Sequence, residues 1–188
     1  GPLVRLAPGA PPPETALTEV YEVPWNNPKA TIQGFAPRGM DIDSKNVVWT
    51  VLSSGHLASF DRSKCKAPLN GPSANGQHCP EGWSLYPFPG PNYKGAVENA
   101  SADSAYYNFV DRFDMLGIGK HASLATGNLS EGLLALVNGK IVNFRVPYPM
   151  GYYAKGLDGR IDNPKGGWKG KAIYTPVSPR APFHMERG

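Results

Sequence analysis

The sequence predicts an all-β chain, and three observations carry that prediction. Short apolar runs alternate with turn residues along the whole length, the pattern of strands joined by tight loops. Charged residues make up only 18%, against a usual ~25%, which leaves little for long solvated helices. No segment carries three turns of amphipathic helix. Glycine (22) and proline (20) are enriched, enough to punctuate strands and too few to signal disorder.

Taken in order, residues 1–33 read as a proline-rich connector. Ala10-Pro-Pro-Pro13 should be extended polyproline, and Glu19-Val-Tyr-Glu-Val23 alternates as a half-buried edge strand does. Pro37 to Asp43 puts Met40 and Ile42 on one face of a strand, with Asp41 and Asp43 on the other. A turn at Ser44-Lys-Asn46 leads into Val47-Val-Trp-Thr-Val-Leu52, an apolar run suited to a strand covered on both faces. After Ser53-Ser-Gly55, His56 to Asp61 returns as an outer strand, completing a β-meander. Gly82 to Tyr86 is a short strand, Val97 to Ser104 a polar exposed stretch, and Tyr106 to Phe113 a strand or short helix whose aromatics favour strand. Gly117 to His121 is a loop, Gly132 to Val146 a second hairpin, and Ala172 to Tyr174 a last strand in a tail full of turns.

The two hairpins look like one motif written twice. Superposing Gly55 on Gly139 aligns Leu57 with Ile141, Ala58 with Val142, Ser59 with Asn143 and Phe60 with Phe144. The offset of about 84 residues is two units of about 42, the length of one four-stranded propeller blade. The expected architecture is therefore a partial β-propeller of two to three four-stranded blades over residues 34–146, preceded by the 1–33 connector and followed by a loop-rich closing segment, 147–188. Two or three blades leave open edges, so the chain reads as part of a longer polypeptide or as docked on a partner.

Pro37-Arg-Gly-Met-Asp-Ile-Asp-Ser-Lys-Asn-Val-Val-Trp49, followed by Gly55-His-Leu-Ala-Ser-Phe-Asp61, resembles the blade repeat of streptogramin-lyase-like β-propellers. Asn46 stands where that repeat usually has a turn glycine, a replacement asparagine makes because it tolerates positive φ. The later Arg145-Val-Pro-Tyr-Pro-Met-Gly151 and Lys155-Gly-Leu-Asp-Gly-Arg-Ile-Asp162 are similar to the C-terminal part of large secreted bacterial proteins that join a carboxypeptidase-regulatory-like domain to a propeller. The resemblance implies a propeller fold and a bacterial, secreted setting. It does not carry the lyase activity, which needs a magnesium ion and a close His/Glu constellation. None of His56, His78, His121 and His184 has a glutamate at that spacing, and Glu131 sits in a turn.

Cys65 and Cys79 flank a Gly/Pro/Asn/Ser-rich spacer able to bring its ends together. A disulfide there would close a ring of about 15 residues, contribute about 3 kcal/mol, and imply a periplasmic or extracellular location. Two free thiols are the alternative. Zinc lacks a Cys-x-x-Cys pair, and His78 beside Cys79 does not complete a ligand set. The net charge of +4 is scattered, with no basic stripe for a nucleic acid. No apolar run is long enough to span a membrane as a helix.

Candidate chemistry is sparse. Tyr148, Tyr152, Tyr153 and Trp168, interleaved with Lys155, Arg160 and Lys169, form an aromatic tract that either lines a sugar- or peptide-binding face or packs the tail on the rim. Asp158 and Asp162 in a Gly-rich loop offer oxygen ligands for Ca2+, against ordinary Asx-turns. Asp41 and Asp43 point to a cation or to turn chemistry, and Asp111 and Asp114 around Arg112 to a surface ion pair. Ser53 and Ser54 beside His56 lack an orienting acid. The reading is a non-enzymatic binding or scaffold module whose partner is the remaining blades or another chain. Its rival is a lyase-like or quinoprotein-like propeller enzyme with its active residues in other blades.

Overall fold

A computed structural model describes residues 1–12, 14–92, 100–103, 105–147, 151–161, 165 and 171–176. Among these the chain is all-β, with strands β1 (Leu3–Ala7), β2 (Leu17–Tyr21), β3 (Pro37–Ile42), β4 (Val48–Leu52), β5 (His56–Phe60), β6 (Trp83–Pro87), β7 (Asn108–Asp111), β8 (Ala122–Gly127), β9 (Gly132–Val137), β10 (Lys140–Arg145), β11 (Asp158–Ile161) and β12 (Lys171–Tyr174). Two four-stranded antiparallel sheets, β3-β4-β5-β6 and β7-β8-β9-β10, run in simple up-and-down order. Each end of the chain adds a two-stranded hairpin, β1-β2 and β11-β12.

Local chemistry explains the turns. Asp43 closes the β3–β4 hairpin: its Oδ1 accepts from the Lys45 and Val47 amides at 2.8 and 3.0 Å, and its Oδ2 from Trp49 Nε1 at 3.2 Å. Asn46 sits at φ 62°, the left-handed position expected of a glycine substitute. A bulge between Arg38 and Met40 bends β3, and Thr50 Oγ1 donates to the Arg38 and Gly39 carbonyls that the bulge releases. In the second sheet Asn138 and Gly139 both have positive φ, the pairing that a two-residue turn needs to match strand twist.

Three apolar clusters glue four layers together. Tyr21 and Val23, from β2 and the residues after it, pack on Leu52, Ala58, Phe60, Trp83 and Leu85 of one face of the first sheet. The opposite face meets the second sheet through Val51 and Leu57 against Ala125 and Leu134. The far face of the second sheet, with Phe109, Leu124 and Ala135, is covered by Leu157 and Ile173 of the C-terminal hairpin region. Like strands lie side by side: β3 touches β7 at one edge, here termed inner, and β6 touches β10 at the other, outer edge.

Five expectations change. The β5 strand is interior, buried along its whole length between β4 and β6. The repeated hairpin is offset: β4 and β5 hold second and third place in their sheet, whereas β9 and β10 hold third and fourth. The likeness is one of hairpins rather than of whole blades, and the 84-residue offset leads from one sheet to the next rather than across two four-stranded units. Ser101 and Asp103, expected to be exposed, are buried; Asp103 accepts from the Leu129 amide at 2.9 Å and from the Ser130 hydroxyl. Ala10 to Pro12 bends rather than extends, with the Thr15 amide and hydroxyl donating to the Pro11 carbonyl. Strands β8 and β11 were not expected at all.

Cys65 and Cys79 form a disulfide across a Cα–Cα distance of 5.1 Å. Cys79 belongs to the first core cluster and Cys65 packs against it, so the loop is pinned to the outer half of that sheet. The bond is consistent with an oxidising, extracytoplasmic environment. Among the described residues no helix is long and apolar enough to cross a membrane.

Candidate binding face at the inner strands

Where the inner strands of three successive layers meet, a groove of about 330 Å³ opens, lined by Met40 and Asp41 of β3, by Asn108 to Val110 of β7 and by Asp158 and Gly159 of β11. Arg112, Phe113 and Tyr107 stand on its rim. Phe113, Tyr107 and Met40 are exposed, so the rim presents apolar and aromatic surface to solvent.

Asp41 organises this groove. One oxygen accepts from the Val110 amide at 2.8 Å, and the other pairs with the Arg112 guanidinium and the Ile42 amide. Its carboxylate thereby ties β3 to β7, and Arg112 answers Asp41 rather than the Asp111 and Asp114 that flank it in sequence. Those two carboxylates shape a loop instead. Asp111 is buried and accepts from the Leu116 amide at 3.1 Å, while Asp114 accepts from Gly119 at 2.9 Å. Asp43, just past β3, is given to its turn, so Asp41 and Asp43 serve separate partners.

Beside the groove, Arg38 lies over the Tyr106 ring at 4.7 Å and Lys155 Nζ at 5.3 Å, with Tyr153 tilted against it at 6.2 Å. The hydrogen bond with Tyr153 holds the Tyr106 phenol below the usual tyrosine value, against its burial, and the Arg38 and Lys155 charges act in the same direction. The cluster is a cationic aromatic patch suited to an anionic or π-bearing partner group.

Of the aromatic tract, Tyr153 therefore reaches this patch. Tyr152 is buried, its hydroxyl 2.9 Å from Thr175 Oγ1, and burial pushes its phenol up. Tyr148 and Trp168 lie outside the described residues. Asp158 is exposed at the start of β11, accepting from the Gly159 amide at 2.8 Å; Asp162 lies outside the described residues. Among the described residues no group of three or more His, Cys, Asp or Glu side chains converges as a metal site would require. Ser54 and His56 do come together, Oγ to Nδ1 at 3.0 Å, but both are buried and Ser54 Oγ also accepts from the Phe35 amide at 3.2 Å. That pair fastens the 34–36 segment to the hairpin turn.

Sequence reasoning missed Tyr106, Tyr107, Phe113 and Arg38 as a surface. The run Tyr106 to Phe113 was visible as an aromatic strand, but its meeting with Arg38 depends on the β3–β7 contact. The chain matches no known protein family, no characterised protein and no solved structure.

Proposed function

We propose that the chain is a non-enzymatic binding or scaffold module, an arc of a bacterial β-propeller that works in the periplasm or outside the cell. The observation that supports it most is the stacking of two four-stranded meanders with like strands adjacent, flanked at each end by a half-sheet. Such a stack carries its contacts outward on loops and inner edges. The groove around Asp41 and Arg112, with its exposed aromatic rim and the Arg38–Tyr106–Lys155 patch, is the face for a protein partner. The disulfide supports the oxidising compartment, and the resemblance of Pro37 to Asp61 to streptogramin-lyase-like repeats supports the propeller.

The test is site-specific photo-crosslinking in an expressing bacterium, with the probe at Tyr107 or Phe113 and a control probe at the exposed Trp25. A discrete adduct formed from the groove positions, absent from the control and lost on Arg38→Glu, is expected. The same adducts from all three positions, or none from the groove, count against this face.

A further inference from the structure

The two terminal two-stranded sheets cover opposite halves of the faces they pack on. The N-terminal pair covers only the outer half of the first sheet's free face, where Tyr21 meets Phe60 with ring centroids at 4.5 Å. The inner half is left open as a groove of about 570 Å³, with β1 residues Leu3, Val4 and Arg5 on one wall and Met40, Ile42 and Val48 on the other. Met40 is 57% exposed there. The C-terminal pair does the reverse. Gly159 of β11 lies against the Phe109 ring of β7, so close that a Cβ would stand 2.9 Å from it, and Ile173 of β12 packs on the same inner cluster. Among the described residues nothing covers the outer half of that face: Val142 and Phe144 of β10 are each 41% exposed.

Register assigns the remaining surfaces. Leu3, Arg5 and their partners Tyr21 and Glu19 face the first sheet, so Val4 and Leu6, paired with Val20 and Thr18, alternate to the other side, Val4 at the strand edge that also borders the groove. They are 60% and 63% exposed, an apolar face that nothing covers among the described residues. The outward edge of β1 and that of β12 also lack a strand partner among the described residues. Inner half, outer half, bare apolar faces and unpaired edges thus match one another across the two ends of the same chain.

We infer that a second copy of this chain completes both ends, head to tail. The β11-β12 hairpin of one copy enters the groove over Met40 and Ile42 of the next and pairs through β12 with β1. The resulting sheet, β11-β12-β1-β2, has the up-and-down order of the two complete ones. In the same contact Val4 and Leu6 cover the partner copy's β10 face at Val142 and Phe144. Each copy carries two complete sheets and two halves, so two copies close a ring of six sheets. That lies within the four to eight of known propellers, which neither one copy (three) nor three copies (nine) would satisfy. Head-to-tail contacts that close in this way give a bounded oligomer. The inference rests on the arc reading proposed above.

The experiment is light-scattering mass of the full chain and of two charged variants, Val4→Glu with Leu6→Glu and Val142→Glu with Phe144→Glu. Both sets of positions are exposed, and an intact disulfide with native near-UV dichroism verifies folding. Should either pair unfold the chain, the milder Leu6→Ser and Phe144→Ser variants replace them. The wild type is expected at twice the 20.2 kDa chain mass. Each variant alone should associate at least about tenfold more weakly, and the two mixed one to one should recover a dimer through the one interface that remains intact. A folded wild-type monomer overturns the second copy as occupant and leaves the arc to be completed by other blades. A dimer that survives both variants, or variants that fail to complement, overturns the head-to-tail contact and leaves the arc reading to the crosslinking test.

Discussion

The hairpins at the two ends of the stack are fastened by different chemistry. The β1-β2 pair is held by charge under an apolar cover. Glu19 is buried, accepts from the Tyr21 hydroxyl at 2.6 Å and from Arg62 Nε and Nη2 at 2.7 and 2.6 Å, and has Arg5 at 3.4 Å. That bidentate contact spans β2 and the short 3-10 turn after β5, and so locks the hairpin to the first sheet. The β11-β12 pair is held by Leu157 and Ile173 in the third apolar cluster. Neutral bonds assist it: the Tyr152–Thr175 hydroxyl pair, and the Ala154 amide donating to Asn128 Oδ1 at 2.8 Å. Among the described contacts, one end is thus fastened by a buried charge and the other by apolar packing and neutral bonds.

The sharpest way to break the contrast is Arg62→Met, which leaves the Glu19 carboxylate buried with only the half-exposed Arg5, at 3.4 Å, as counter-charge. A loss of about 3–5 kcal/mol in urea unfolding is expected, partly restored by adding Glu19→Gln. A loss near zero would mean that the apolar cluster alone holds the N-terminal hairpin. Reduction of Cys65–Cys79 acts on the same half of the molecule. The urea midpoint should fall by the equivalent of about 3 kcal/mol in excess reductant, with no further fall when Cys65→Ser/Cys79→Ser is treated likewise.

Acid separates the two ends next. The Arg62 hydrogen bonds hold the Glu19 carboxyl at about 2, below its ordinary 4.5, against burial. A depressed carboxylate stabilises fully above its unfolded value, and that contribution is lost as pH falls through the folded value. Stability should thus decline between pH 4.5 and 2 by about 2 kcal/mol after discounting for the partly exposed arginines, a decline missing from Glu19→Gln. The smallest effect belongs to the other end. Tyr152→Phe removes one neutral hydrogen bond and should cost about 1 kcal/mol, with the same loss at pH 3 and pH 7.

The legible part of the fold was set by local rules. Asn46 marked a turn that needs positive φ, Gly139 a second hairpin aligned on Gly55, the apolar run at 47–52 a covered strand, and the spacing of Cys65 and Cys79 a loop that could close. Strand β8, Ala122-Ser-Leu-Ala-Thr-Gly127, carried no such mark. Its small residues have weak strand preference and become a strand because they fit, fully buried, between β7 and β9. The Asp158-Gly-Arg-Ile161 segment has turn composition and is a strand only because β12 pairs with it.

The sequence by itself determined the all-β class, the hairpin turns and the cysteine pair, because turn conformation and strand period are read within a few residues of chain. Tertiary structure alone decided that β3 lies beside β7, that Asp41 answers Arg112 across it, that Glu19 finds Arg62, and that the two terminal hairpins cover opposite halves of the faces they pack on. Those contacts join residues far apart in sequence, and no local preference encodes a neighbour that only packing brings within reach.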